Sequence, residues 1–223
     1  MPDKTMYSID THISRCGLLT SALNFRVTCK EVPEDDLGDA TKTKDVVAGA
    51  STEIKGAVVA ELTGFAAPCL GFDELPFEGS LFDEFDCRDG DVHQGYSLLQ
   101  TEHSTIDTLF DYPVAETCSK IVMLEMLTVK PEVRGHRLGL RLMREVQQIF
   151  EGIHTVGLLL AAPQEDKESV EAQRGLIDYY LSDPALGFKE VNYSRYPGWI
   201  AACWTGNDLE PDDEASFFLR SRD

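Results

Sequence analysis

The order of apolar segments between residues 119 and 182 is the feature that most constrains what this chain can fold into. SKIVMLEMLTV (119–129) is nearly continuous in apolar residues and has the length of a buried strand. A basic turn follows, with Gly135 and Gly139. Across residues 135–151 the apolar positions Leu138, Leu142, Val146, Ile149 and Phe150 fall at helical spacing. HTVGLLLAA (154–162) is a second buried strand pattern. Residues 167–182 are a second helical pattern, with Val170, Gly175, Leu176, Tyr179 and Tyr180 on or near one side. This strand–helix–strand–helix order selects an α/β fold.

The flanks add strands of the antiparallel kind. LNFRVTCKEV (23–32) alternates Phe25, Val27 and Cys29 with polar neighbours. EIKGAVVAELTGFAA (53–67) reads as a buried strand centred on Val58 and Val59, and GFKEVNYS with PGWIAACWT (187–205) reads as a closing antiparallel pair. The sheet is therefore expected to be mixed. Residues 1–22 have mixed character and accommodate a short helix, and 34–45 form a polar surface loop. Residues 68–91, rich in Pro, Gly, Asp and Phe, read as an insertion or loop, and 91–103 as a helix with Asp91 at its N-cap. The whole, 1–223, reads as one domain: an acidic segment (68–118), a core (119–205) and an acidic tail (206–223).

Composition excludes several classes. With 43% hydrophobic and 9% aromatic residues the chain is globular. No apolar run approaches the ~20 residues that span a bilayer, and the N-terminus lacks a signal-peptide layout. The six cysteines form no CxxC pair, so reduced thiols and a cytoplasmic location are expected. The five histidines are dispersed, and metal ligation has no support in spacing. A net charge of -19 argues against nucleic acid as a partner.

Against that acidity, VKPEVRGHRLGLRLMR (129–144) concentrates Lys130, Arg134, Arg137, Arg141 and Arg144. A helix start presents unpaired backbone N–H groups and about +0.5 of an elementary charge, which favours an anion. GxxxxGK[ST] and GxGxxG are both absent from this turn. The segment resembles instead the pyrophosphate-binding motif V-x-P-x-x-R/Q-x-x-G-x-G/A of the GNAT superfamily of acyl-CoA-dependent N-acyltransferases. Val129, Pro131, Arg134 and Gly139 match, Gly135 fits the common RG start, and Arg137 stands where the family usually has glycine. The flanking strands, the helix with Tyr179 and Tyr180, and the ALGF that follows extend the resemblance over residues 119–205. LSDPA is inserted between the tyrosines and Gly187.

The resemblance implies a GNAT-like fold: a mixed, mostly antiparallel sheet flanked by helices, with splayed parallel strands at the cofactor site. It implies acetyl-CoA as cosubstrate, with its pyrophosphate on the backbone of Arg134, Gly135, His136, Arg137, Leu138 and Gly139. Arg134 and Arg137 would add charge, and main-chain groups of Leu127 and Val129 would pair with the pantetheine arm. It further implies Glu125 as general base and Tyr179, ahead of Tyr180, as the acid that protonates the thiolate. Read on their own, Glu125 is equally an edge-exposed or ion-paired carboxylate and Tyr179 a packed core residue. His93, His103, His136 and His154 are weaker candidates for a base.

Between Glu61 and Thr117 thirteen acidic residues face one basic residue, Arg88, a balance that would attract a cationic amine or simply solvate a surface. Phe72, Phe77, Phe82, Phe85 and Tyr96 would line a pocket there or anchor the segment to the core. The expected activity is direct acetyl transfer to a primary amine in a ternary complex. The alternative is a non-catalytic acyl-CoA-binding or protein-interaction module. A homodimer is compatible with either.

Overall fold

The computed structural model describes residues 6–15, 22–32, 56–68, 94–95, 97–99, 103–111, 117–152, 155–163, 169–192 and 197–204. The expected loop at 34–45, the five aromatic residues of the acidic segment, Asp91, His93, His154 and the tail lie outside them. Seven strands form one sheet: β1 (Met6–Arg15), β2 (Leu23–Val32), β3 (Val58–Pro68), β4 (Lys120–Val129), β5 (Thr155–Leu160), β6 (Lys189–Glu190) and β7 (Trp199–Trp204). Their spatial order is β1-β2-β3-β4-β5-β7-β6. Only β4 and β5 run parallel; the other neighbours are antiparallel. Three longer helices accompany them: α1 (His103–Phe110), α2 (Leu138–Phe150) and α3 (Val170–Leu181). This is the mixed α/β class expected. Among the described residues no helix is long and apolar enough to cross a membrane.

β4 is buried on both faces along its first half, which is why its sequence runs apolar without alternation. Val122 and Leu124 join a cluster with Leu138, Leu142, Val146 and Phe150 of α2, which packs on β2, β3 and β4. Ile121 and Met123 face the opposite way, into a cluster with Phe65, Leu158 and Trp199. Leu98, Leu99 and Ile106 cover that second face and are fully buried, each contributing ~1.5–3 kcal/mol by removal from water. The described part of the acidic segment thus supplies one layer of the core.

Four expectations need correction. In the segment expected to accommodate a short helix, residues 6–15 form a strand: β1 pairs with β2 over its full length, and Tyr7 and Ile9 pack on the core at the strand period. β3 begins at Val58 rather than residue 53; Gly56 and Ala57 lie before it, and no strand is assigned to them. α2 begins at Leu138 rather than 135, because Gly135 (φ 88°) and Arg137 (φ 56°) hold left-handed backbone that a helix cannot include. On α3, Val170 is 79% exposed and Gly175 faces open space; Ile177 and Tyr180 form the buried side.

The β3–β4 ladder is interrupted once. Gly64 pairs with Leu124 and Thr63 with Met126, so Glu125 is an extra residue in the register between them. A side chain at Gly64 would run into the Met123 carbonyl and the Phe25 ring, itself packed on Phe150 at 5.2 Å. Gly64→Ala is expected to destabilise the fold by about 1–3 kcal/mol through overpacking. Calorimetry should record a fall in Tm of roughly 2–4 °C per kcal/mol; an unchanged Tm would mean the interruption absorbs the methyl group freely.

Candidate active site

The extra residue at Glu125 changes the parity of β4. Val122 and Leu124 face α2 before it, and Leu127 and Val129 pack on the same cluster after it. Without the insertion Met126 and Thr128 would point there instead. Met126 is 49% exposed as a result. The interruption also coincides with a parting of strands. β4 pairs with β5 only from Lys120↔Thr155 to Leu124↔Leu159, while β5 continues alongside β7 to Leu160↔Trp199. Beyond Leu124, among the described residues, β4 has no strand pairing toward β5. Lys130 N–H bonds the Val59 carbonyl at 2.9 Å, on the β3 side. By strand alternation the main-chain groups of Leu127 and Val129 turn to the unpaired edge.

A cleft of about 920 Å³ occupies this gap. Leu127, Val129 and Tyr179 line it from the α2 side, and Met123, Leu160 and Trp199 from the other. It thus passes between the strands, through the sheet. Glu125 also lines it, as an exposed carboxylate at the point where the strands part. The charged residue inside an apolar strand is explained by that wet position.

The basic turn closes one end. Pro131–Val133 form a 3-10 turn, Gly135 and Arg137 reverse the chain with positive φ, and α2 starts without a side-chain cap. Arg134, Gly135, Arg137, Leu138 and Gly139 line the cleft. The Arg134 side chain folds back so that Nε donates to the Val129 carbonyl at 3.3 Å. His136 is exposed and its ring turns toward Tyr7 on β1, with centroids 6.4 Å apart. Gly139 is needed for close approach: a methyl group there would lie 2.8 Å from Leu127 Cδ2 and 2.9 Å from Tyr179 Oη.

Tyr179 and Tyr180 have different environments. Tyr180 is buried, and burial pushes its phenol up to about 12. Burial raises the Tyr179 phenol too, opposed by the nearby Leu140 backbone N–H and by the charge of Arg137. Only Tyr179 lies beside Gly139, and it keeps its proton at neutral pH. The structure thus brings nine of the ten nominated residues to one cleft, His136 being the exception.

Sequence reasoning missed the residues that brace this end. Arg144, nearly two turns into α2, makes two hydrogen bonds of 2.7 and 2.6 Å to the buried carboxylate of Asp183. Asp183 also caps the 3-10 turn Pro184–Leu186. The inserted LSDPA was the available signal: an Asp before Pro is an N-cap pattern. Thr63 on β3 also lines the cleft, beside the ladder interruption, which no sequence pattern marks.

Two solved structures are similar to this chain. One is an apo-form mutant of agmatine N-acetyltransferase, 18% identical over 67% of this chain and 72% of that one, with a TM-score of 0.36. The other is a polyamine N-acetyltransferase of Drosophila melanogaster that catalyses formation of N-acetylagmatine, 16% identical over 67% and 71%, with a TM-score of 0.34. No protein-family model and no curated protein matches the sequence. At such identities and TM-scores the functional reading has to rest on the cleft itself.

The Arg144 hydrogen bonds, foremost, hold the Asp183 carboxyl below its ordinary range; burial opposes them, and the charges of Arg144 and Arg137 and the Ala185 N–H assist. The unfolded carboxyl, near 3.9, therefore takes up its proton first as pH falls. The stability this clamp supplies is complete above about pH 5 and is lost as pH falls through the lower folded value. Asp183→Asn should lower Tm at neutral pH, and its difference from the parent should shrink below about pH 4 in thermal melts followed by circular dichroism. A difference that persists unchanged to about pH 3 would show that the carboxylate charge is not what braces the two segments.

Proposed function

We propose that the protein is a GNAT-type N-acetyltransferase that moves an acetyl group from acetyl-CoA to a primary amine. The observation that carries this reading is the placement of the motif turn, the unpaired β4 edge, Glu125 and Tyr179 on a single cleft through the sheet. A carrier with a pyrophosphate, an amide-bearing arm and a thioester fits these parts in sequence. The α2 start offers backbone N–H groups to the pyrophosphate. The Leu127 and Val129 main chain offers strand-like pairing to the arm. The thioester end would then reach the zone of Glu125 and Tyr179. Acetyl-CoA supplies the activated acyl group and a thiolate that leaves readily.

The chain's own residues manage protons. An ammonium has no lone pair to attack with, so Glu125, directly or through water, accepts a proton from the amine. The amine nitrogen bonds to the acetyl carbonyl carbon as the carbon–sulfur bond breaks. Tyr179 supplies a proton to the departing thiolate, and the acylated nitrogen sheds its second proton to restore the Tyr179 hydroxyl, directly or through water. Both substrates are bound at once, with no covalent enzyme intermediate. The exposed Glu125 carboxylate and the acidic balance of residues 61–117 favour a cationic amine.

Thiol release from acetyl-CoA with a panel of primary amines tests the reading. Glu125→Gln and Tyr179→Phe should each lower kcat by about 10²-fold with little change in KM for acetyl-CoA. Arg134→Glu combined with Gly139→Asp should abolish CoA binding in calorimetry while circular dichroism shows a folded protein. If no amine releases CoA above background while CoA still binds, the protein is the non-catalytic acyl-CoA-binding module instead.

A further inference from the structure

Arg137 stands where the motif usually has glycine, and the backbone there is left-handed, at φ 56°. A non-glycine residue in that conformation costs roughly 1–2 kcal/mol, so glycine would satisfy the turn better. What arginine adds is its side chain. One guanidinium nitrogen of Arg137 donates to the Ser182 carbonyl at 3.2 Å. Ser182 is the C-cap of α3, where the helix dipole also favours a cation. Ser182 in turn bonds the Tyr179 carbonyl twice, through Oγ at 2.6 Å and N–H at 3.2 Å. The circuit closes because the Tyr179 hydroxyl reaches back to the start of α2, where a methyl group added to Gly139 would lie 2.9 Å from its oxygen.

We infer that Arg137 is a positioning residue for Tyr179: by holding the Ser182 carbonyl it ties the turn before α2 to the end of α3, and so fixes the Tyr179 hydroxyl against Gly139 in the cleft. Arg144 and Asp183 make a parallel tie farther along α2. The two ties divide the work. Arg144–Asp183 holds the helices together, and Arg137 sets the one hydroxyl that faces the reaction. Its charge also pulls the Tyr179 phenol back toward its ordinary value. The catalytic consequence rests on the acetyltransferase reading; the tie itself does not.

Arg137→Gly keeps the left-handed turn and removes the tie together with its charge. Hydrogen exchange should show the Ser182 amide, bonded to the Tyr179 carbonyl, exchanging about tenfold faster in a protein that melts no lower than the parent. With an amine that the parent acetylates, kcat should fall about tenfold while KM for acetyl-CoA stays within about twofold, and Arg137→Lys should recover part of kcat. Unchanged Ser182 exchange would overturn the inference. So would a rise in KM with kcat intact, which would assign Arg137 to the phosphates of the cosubstrate. If the parent acetylates no amine, the acetyltransferase reading fails and the Ser182 exchange alone decides the tie.

Discussion

Glu125 is one residue more than β3 can pair with, and the geometry of the cleft depends on that surplus. It ends the shared ladder of β4 and β5 at Leu124, turns Leu127 and Val129 toward α2, and leaves a strand edge open to the gap. It also places a carboxylate at the fork, where a regular strand would have buried it or turned it away. A buried unpaired carboxylate would cost several kcal/mol; a wet one at a fork carries no such penalty. The same feature thus builds the passage and puts a carboxylate in it.

The second constraint is the distance between the start of α2 and the end of α3. These two helix ends also meet where Gly139 faces Tyr179, a contact that permits close approach but does not enforce it. Two arginines enforce it, at different depths. Asp183 is buried, so removing either partner leaves an unmet charge or an empty fork; Arg137 reaches only a backbone carbonyl at the exposed rim. Stability and placement are therefore separable along one helix.

Much of this was legible in the sequence. Strands β2, β4, β5 and β7 and helices α2 and α3 follow from period and burial, because their patterns are strong and local. β1 was missed, although Tyr7, Ile9 and Ile13 alternate, because its stability comes from pairing with β2 rather than from its own composition. The turn residues were legible through the motif. The interruption at Glu125 was not: IVMLEMLTV reads as an unbroken strand, and only the register against β3 shows that one residue is surplus. Nor does spacing reveal that the LSDPA insertion closes a clamp onto Arg144, since the partners lie 39 residues apart.

The cluster of basic residues also means something different in three dimensions. In sequence, Lys130 to Arg144 reads as one patch of positive charge awaiting phosphates. In the fold, Arg134 turns back to the Val129 carbonyl, Arg137 reaches Ser182 and Arg144 grips Asp183. Each of these cations is tied to a neighbouring segment, and together they hold the turn in its shape. What that shape presents to the cleft is backbone: the first N–H groups of a helix that begins with no side-chain cap. An anion there would meet oriented amides first and a diffuse positive field second. On the proposed acetyltransferase reading, that arrangement would hold a pyrophosphate in one register so that its distant thioester meets Glu125 and Tyr179.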